Sequence, residues 1–433
     1  MGTLKRLFGK KQFWFSFAAA CVPAFILEPL AEEWTAPSAE ASSSIFDVHG
    51  LYRRRVTGLW RQRVPNFTAI VEIREGREPS WAGMTSVCKQ RGFIAELLKS
   101  INKCHPDVIV IDKYFEATTC SAKDGNTQNL LDAAKQVTKD TPLVVGRIEN
   151  SLHVDDRFGW SPALVFAPGK DNKGNSVEEG DITFDEDVRR IPLRWEVWNS
   201  ADAKTGQNKD SLALKAATAR NADLLQQQPR LNRIINQNKD PYTSFIDIPV
   251  VSANTLLFGD HQVSEQDWQK HIIDQPDKNV AAKLRGKVVL IGENRSDIDQ
   301  HMTDTGDVPG CILHANYIES ILDQWYFEPV GWFWNMLAGF LIFSVFHLIL
   351  ILCEQLLGRK FISKVAFIVC SLAATVLTLA AAYVVLGLLV LLVGRYVDPL
   401  NVSGTAISVL ILHGLFYGVG EGHVQQKSTT TPP

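Results

Sequence analysis

Hydrophobic positions along this chain follow two different patterns. Four long apolar stretches with few charged residues lie at 13–30, 329–353, 365–393 and 402–420. A helix needs about 20 apolar residues to cross a hydrocarbon core of about 30 Å, so these stretches predict one amino-terminal and three carboxyl-terminal transmembrane helices. Residues 31–326 instead alternate short apolar runs with polar segments, as a soluble domain with its own core does.

Within residues 31–326, the spacing of the apolar runs predicts a βαβ succession. FTAIVEI, PDVIVIDKYF and TPLVVGRIE have the pattern of strands, and segments 86–104 and 124–140 between them have the pattern of helices. Val108–Ile111 is apolar at every position, as in a central parallel strand that is covered on both faces. Because KVVLIG later predicts a return to the core, we expect an α/β domain with a mixed, mainly parallel sheet.

The pattern between residues 150 and 276 is weaker. GDITFDEDVRRIPLRWEVW predicts an antiparallel hairpin that turns near Asp185–Asp187. KDSLALKAATARNADLL predicts a helix, and YTSFIDIPVVSANTLLF predicts extended chain that enters a turn or short helix.

Basic residues next to the apolar stretches predict the orientation in the membrane. Lys5, Arg6, Lys10 and Lys11 precede the first stretch, and the link between the second and third is also basic. Because such residues stay in the cytoplasm, we expect residues 1–12 and 421–433 inside and residues 31–326 outside. This arrangement describes a multi-pass membrane protein with a large domain outside. A cleaved signal peptide is the alternative for the first stretch, but no good small-x-small site follows it.

The charge of the chain limits the kinds of partner that it can bind. A net charge of −3 and the absence of a long basic stripe argue against nucleic-acid binding.

Cys88, Cys104, Cys120 and Cys311 fall in the domain predicted to lie outside, where disulfides persist. Cys88 and Cys120 would both lie at the carboxyl ends of parallel strands, so they form a candidate pair, and unpaired thiols are the alternative. Cys88 and Cys104 would be about 24 Å apart along a helix, beyond bonding reach.

Three motifs in the domain form a recognisable set. LRGKVVLIGENRSDIDQH and VPGCILHANYIESIL contain Gly-Lys-x-Val-x-Ile-Gly, Asp-x-His, Pro-Gly and His-Ala-Asn, and DEDVRRIPL and VIVIDKYF supply two further motifs. The set resembles that of the CHASE type 2 domains (cyclases/histidine kinases associated sensory extracellular), over most of residues 45–420. Two positions depart from that family pattern, because Val188 stands where glycine is usual and Asp304 where proline is expected.

The resemblance implies a multi-pass protein of the bacterial inner membrane, with a periplasmic sensor domain followed by three spans. Family members usually continue into a cytoplasmic cyclase, kinase or phosphatase, whereas this sequence ends 13 residues after Gly420. The expected function is therefore sensing, with the signal passed through the transmembrane bundle to a separate partner. The alternative is a structural or assembly subunit of an envelope complex. Expected partners are the membrane, another protein or a second copy, and a small-molecule ligand.

No enzymatic activity and no cofactor are expected. The sequence has no Gly-x-Ser-x-Gly elbow, and GENRSD lacks the spacing of a phosphate-binding loop. No Cys-x-x-Cys or His-x-x-x-His pair supports a zinc site, and no resident metal is predicted.

Polar residues that follow the core strands are the candidates for ligand binding, because open α/β sheets bind ligands at the carboxyl ends of their strands. Their carboxylates and imidazoles suit a divalent cation or a small polar ligand. Alternatively, the loop residues bond to backbone and fix the Pro309–Gly310 turn, while those of the next helix cap it or bridge segments. The candidates are Asp112, Asp297, Asp299, His301, His314 and Asn316.

Overall fold

The computed structural model divides the chain into two compact units, Glu40–Tyr326 and a second unit formed by Met1–Ala39 with Phe327–Pro433. It describes residues 64–74, 86–115, 120, 125–147, 166, 169–170, 176–184, 188, 190–197, 207–241, 243, 245–259, 261, 263, 267–294, 300–303, 306–326, 328–329 and 395–396. Apart from Pro329, the four predicted transmembrane segments lie outside these residues. Within them, no helix combines the length and apolarity needed to span a bilayer.

A seven-stranded sheet forms the centre of the Glu40–Tyr326 unit. Its strands are β1 (Thr68–Arg74), β2 (Val108–Ile111), β3 (Leu143–Arg147), β4 (Gly169–Lys170), β5 (Ser176–Asp181), β8 (Val250–Ser252) and β9 (Val288–Asn294). Their spatial order is β4-β5-β3-β2-β9-β1-β8. Every neighbouring pair is parallel except β4 with β5. The mixed, mainly parallel α/β domain is therefore confirmed.

Three two-stranded ladders lie outside this sheet. The first two belong to the same unit, and they are β6 (Arg194–Val197) with β7 (Gln207–Asp210), and β10 (Gln300–Thr303) with β11 (Gly306–Pro309), both antiparallel. In the second unit, β12 (Glu328–Pro329) pairs in parallel with β13 (Arg395–Tyr396).

Helices cover both faces of the sheet. They are α1 (Val87–Asn102), α2 (Gly125–Val137), α3 (Leu212–Arg220), α4 (Leu224–Gln227), α5 (Pro229–Asn236), α6 (Ala253–Phe258), α7 (Lys278–Leu284) and α8 (Gly310–Leu322), and Trp268–His271 forms a 3-10 turn. Polar caps mark several helix starts: Ser211, Ser252 and Asp277 accept backbone N–H groups of α3, α6 and α7.

The period of two along each strand divides the core into two layers. Val289 and Ile291 of β9 pack in one buried cluster with residues of α1, α2, α6 and α7. Val288 and Leu290 pack in a second cluster with residues of α3, α5 and α8. Because all four strand residues are at most 1% exposed, β9 is a central strand buried on both faces.

The turn into β9 requires a glycine. Gly286 has φ 65°, in the left-handed region that glycine adopts without steric cost. It follows α7, and its N–H donates to the carbonyl oxygen of His105, 3.0 Å away, in the turn before β2. The first glycine of the Gly-Lys-x-Val-x-Ile-Gly motif is therefore needed for the backbone conformation of the α7–β9 connection.

Most predicted elements are present, and one prediction is wrong. The strands before residue 150, the two helices between them and the KVVLIG strand are observed, as are the helix after Ser211 and the short helix after Ser252. The antiparallel hairpin between residues 180 and 198 is absent: β5 pairs in parallel with β3, and β6 pairs with β7 in another sheet. Its predicted turn at Asp185–Asp187 lies outside the described residues.

Candidate functional site

A crevice is expected where the direction of the crossovers changes. Strands β1 and β2 lead to α1 and α2 on one face of the sheet, whereas β9, which lies between them, leads to α8 on the opposite face. Open α/β sheets bind ligands at such a switch point, outside the ends of the strands. We call the side of the sheet where the parallel strands end the carboxyl edge, and the opposite side the amino edge.

Helix α8 begins very close to β9. A Cβ placed on Gly292 would lie 2.1 Å from the Cβ of Cys311, so only glycine permits this approach. The second glycine of the Gly-Lys-x-Val-x-Ile-Gly motif therefore sets the distance between the sheet and α8 at the carboxyl edge.

Asp112 and His314 meet at this edge. Asp112 directly follows β2, and Nε2 of His314 on α8 lies 3.6 Å from its Oδ1. The same Nε2 lies 3.3 Å from the carbonyl oxygen of Ile182, which follows β5. Because Nε2 faces two acceptors, we assign the proton of neutral His314 to this nitrogen. The side chains are 1% and 7% exposed for His314 and Asp112, so the pair is buried.

Aromatic rings surround the imidazole of His314. The Phe184 ring stacks on it with centroids 4.4 Å apart and an angle of 28° between the planes. The His301 ring, on β10, lies 4.4 Å from the same Phe184 ring at 57°. Tyr317 meets His314 edge-on at 6.1 Å, and its hydroxyl donates to the carbonyl oxygen of Val188 at 2.5 Å. We call Phe184, His301, His314 and Tyr317 the ring cluster.

Asn316 has a different role from His314. Its Oδ1 accepts the N–H of Ile246 at 2.8 Å, and its Nδ2 donates to the carbonyl oxygen of Ile312 at 3.0 Å. Helix α8 begins at Gly310, so neither Asn316 nor His314 caps it. Asn316 is fully buried and attaches the chain before β8 to α8, which is the segment-bridging alternative.

The end of α8 binds the start of the domain. Glu319 is fully buried, and its carboxylate accepts the N–H groups of Asn66 at 2.7 Å and of Phe67 at 3.0 Å. One residue later, the hydroxyls of Ser320 and Thr243 are 2.6 Å apart. Polar side chains on α8 therefore connect the carboxyl edge with the entry to β1 at the amino edge.

Charged side chains occupy the other side of the carboxyl edge. Nζ of Lys113 donates to Oε1 of Gln90 at 2.5 Å and also pairs with the carboxylate of Glu293. On the neighbouring strands, Arg147 donates to Glu179 at 2.9 Å. The hydrogen bond to Gln90 connects the end of β2 with α1, and the two ion pairs connect β2 with β9 and β3 with β5.

Cys88 and Cys120 form a disulfide, with Cα atoms 5.7 Å apart. The sequence left open whether these two cysteines are paired or are free thiols, and the structure shows the pair. The disulfide joins the start of α1 to the chain that follows β2. Cys104, by contrast, is a buried thiol outside this edge. Burial raises the pKa of the Cys104 thiol to about 11, although Arg285 and Lys103 act in the opposite direction.

The structure thus brings three of the sequence candidates together, namely Asp112, His301 and His314. Asp297 and Asp299 lie outside the described residues, as does the neighbouring Asp304. In the part of the chain that is described, no group of three or more His, Cys, Asp or Glu side chains is placed to hold a metal ion.

Sequence reasoning missed several residues of this region. Phe184, Tyr317, Glu319 and Lys113 carry contacts described above but were not candidates. Phe184 directly precedes DEDVRRIPL, and Tyr317 and Glu319 follow His-Ala-Asn on the same helix. Proximity to these motifs was the available signal, since an isolated phenylalanine or glutamate gives none.

Comparison with known proteins gives one match. The model of the CHASE2 domain family matches residues 25–352, which is more than half of the chain. The matched segment includes every element from β1 to α8 and the whole ring cluster. Comparisons with curated proteins and with solved structures each find no match.

Proposed function

Since this chain belongs to the CHASE2 domain family, a family of sensory extracellular domains, we propose that it is a membrane-anchored sensor. In this proposal the α/β domain faces the periplasm, and the carboxyl edge around Asp112 and the ring cluster receives the input. The apolar segments transmit the response to a separate partner protein. The family match over residues 25–352 is the observation that carries the proposal.

An outside location is supported by two independent features. The Cys88–Cys120 disulfide is of the kind that persists in oxidising compartments and is rare in the cytosol. The basic residues that flank the apolar stretches favour the same orientation.

Helix α8 is the element suited to carry the response. Its first turns contain His314 at the carboxyl edge, and its last turns contain Glu319 at the amino edge. With 13 residues at about 1.5 Å each, it is about 20 Å long. The end of α8 binds Asn66 and Phe67 at the start of β1, and along the sequence the apolar segment at 329–353 follows α8.

A shift of α8 would therefore change its contacts at the start of β1 and the end of α8, which the apolar segment at 329–353 follows in the sequence. Such coupling requires two arrangements of α8 that an input favours unequally. The proposal assigns the domain no catalytic step.

Affinity purification of the tagged full-length protein in mild detergent, with mass spectrometry of what copurifies, tests this function. We expect a signalling protein with a cytoplasmic output domain in stoichiometric amount. The amount of this signalling protein that copurifies should change in Tyr317→Phe, which alters the contact between α8 and Val188. It should not change in Lys209→Gln, a substitution on β7. A stoichiometric envelope structural protein would instead identify an assembly subunit, and a protein without any partner would contradict the proposal.

A further inference from the structure

We propose that the input sensed at the carboxyl edge is the proton, which is bound by His301 and His314, the two imidazoles next to Phe184. This inference rests on the proposed function, because it names the ligand of the same site. It requires two histidines whose charge is coupled to the position of α8, and the contacts of the ring cluster provide that coupling.

Phe184 links the two imidazoles. Both imidazole centroids lie 4.4 Å from the centroid of its ring, and the His314 ring is stacked on it at 28°. The face of an aromatic ring attracts a cation within about 6 Å, so the protonated form of His314, which is stacked on Phe184, gains an interaction with it. Two positive charges around one ring also repel each other, and the two protonations therefore depend on each other.

Two opposite effects act on the stability of the protonated form of His314. Its side chain is 1% exposed, and burial disfavours the imidazolium. The carboxylate of Asp112 lies 3.6 Å away, and an opposite charge at this distance favours the imidazolium. Asp112→Asn separates the two effects, because it removes the opposite charge and leaves His314 buried.

Other charged groups near α8 are engaged elsewhere or exposed. Lys215 on α3 lies 3.6 Å from both Glu178 and Asp210. Glu72 on β1 accepts from Asn294, and Glu293 on β9 pairs with Lys113. On β5, Glu179 pairs with Arg147, and Oδ1 of Asp181 accepts the Thr183 N–H; Asp307 on β11 is exposed. Asp112 is thus the described carboxylate that faces the His314 ring.

Protonation would act on three connected segments. His314 lies on α8, His301 on the β10–β11 ladder that leads into α8, and Phe184 on the chain after β5. Charging His314 strengthens its attraction to Asp112 and draws the start of α8 towards the end of β2. Charging His301 strengthens its attachment to Phe184 and holds β10 against the same ring. Both changes bring the segments around Phe184 closer together. Acidification therefore favours an arrangement in which the start of α8 and β10 lie closer to the carboxyl edge.

Exchange of the imidazole C2 hydrogen, followed by mass spectrometry of the full-length protein in detergent, reports the titration of each histidine. We expect the C2 exchange rates of both His301 and His314 to show a change of charge over the range that the experiment covers, about pH 5 to 8. In Asp112→Asn, the midpoint of His314 should fall by about one pH unit or more, because the opposite charge is lost. In His301→Gln, it should rise, because a neighbouring positive charge is removed. His261→Gln removes an exposed histidine outside the ring cluster and should leave both midpoints unchanged.

Backbone amide exchange over residues 310–322 measures whether the proton reaches α8. Between about pH 8 and 5.5, we expect exchange at the start of α8, corrected for intrinsic rates, to slow several-fold in the wild type. The slowing should be lost in His314→Gln and Phe184→Leu and kept in His261→Gln. If His314→Gln does not fold, Asp112→Asn and Phe184→Leu supply the same comparison.

Two results would overturn the proton as the input: a His314 that stays neutral over this range, or a titration without any change in α8. Neither depends on the partner protein. A protein that keeps its signalling partner and ignores pH would contradict only this inference, whereas a pH response without a partner would contradict the proposed function.

Discussion

Glu319 shows how a single buried side chain holds the start and end of the domain together. Its carboxylate is fully buried and accepts two backbone N–H groups, from Asn66 and Phe67. A buried N–H that loses its acceptor costs about 1–3 kcal/mol. Residues at the entry to β1 therefore depend on a side chain more than 250 positions away in sequence.

Replacing Glu319 tests this dependence. We expect Glu319→Ala to lower the free energy of unfolding by about 3 kcal/mol, because both N–H groups lose their acceptor. Glu319→Gln retains one acceptor oxygen and should cost about half as much. Urea unfolding measures both. Glu96→Ala, which removes a partly exposed pair with Lys99, is the control and should cost less than about 1 kcal/mol. Equal losses in Glu319→Ala and Glu96→Ala would show that the buried contact contributes no more to the free energy of unfolding than the partly exposed pair does.

Cys104 gives the stability of the domain a dependence on alkaline pH. Its pKa is raised from 9.0 to about 11 in the folded protein by burial. Between these two values the unfolded chain loses this proton while the folded protein keeps it, so the unfolded state binds fewer protons and stability falls as pH rises. Below 9.0 the thiol is protonated in both states and contributes no slope.

Cys104→Ala should reduce the loss of stability in this window. The measurement is the urea midpoint of wild type and variant at several pH values, with the difference between their slopes as the readout. Comparing slopes removes the constant cost of the cavity that alanine leaves. Identical slopes would contradict a buried thiol that keeps its proton.

Some residues of the candidate site were predictable, and others were not. Asp112 and His314 were found because a polar residue after an apolar strand, or within a motif, is conspicuous in sequence. Phe184 and Glu319 resemble ordinary core and surface residues until the sheet brings their partners to them. The sequence also left open whether Asn316 binds a ligand, and only its bond to Ile246 shows that it bridges two segments.

At the scale of elements, local pattern identified strands better than it identified their partners. Val108–Ile111 and Val288–Ile291 are continuous apolar runs, and both are central parallel strands. The segment from Gly180 to Trp198 alternates in a way that suits a hairpin, yet its two strands join different sheets. The partner of β5 is β3, which lies far before it in the sequence, and the partner of β6 is β7, which begins after this segment ends. A window over the segment contains neither partner.

The close approach of α8 to β9 is an element-scale feature with a direct test. Because a Cβ on Gly292 would lie 2.1 Å from the Cβ of Cys311, Gly292→Ala must displace the start of α8. We expect a loss of about 1–3 kcal/mol in the free energy of unfolding, as for other overpacked sites. Cys311→Gly should recover part of this loss in the double variant, because it removes the atom that clashes.

Gly125→Ala is the matched control for this experiment. Gly125 begins α2, and a Cβ there would meet nothing within 4 Å. Its replacement should leave stability unchanged or raise it slightly, since alanine favours helix. Equal losses in Gly125→Ala and Gly292→Ala would contradict a steric requirement at the carboxyl edge.

At the scale of the whole molecule, the proposed function depends on which side of the membrane the Glu40–Tyr326 unit occupies. The predicted arrangement places both chain ends inside and this unit outside, with the 394–401 link also outside. An outside domain is what a proton or ligand sensor of the periplasm requires, and an inside domain would remove the premise of the sensory proposal.

Reporter fusions test this arrangement directly. Alkaline phosphatase, which is active outside, should be active after Ser44 and Asp398, and green fluorescent protein, which matures inside, should fluoresce after Lys360 and Pro433. The physical reason is that Lys and Arg beside a span are retained in the cytoplasm. Replacing Arg359, Lys360 and Lys364 with glutamine in the Pro433 fusion should weaken its fluorescence, because the retaining charges are lost. Phosphatase activity after Lys360 would show that the arrangement is inverted, and the carboxyl edge would then face the cytoplasm and could not sense the acidity of the periplasm.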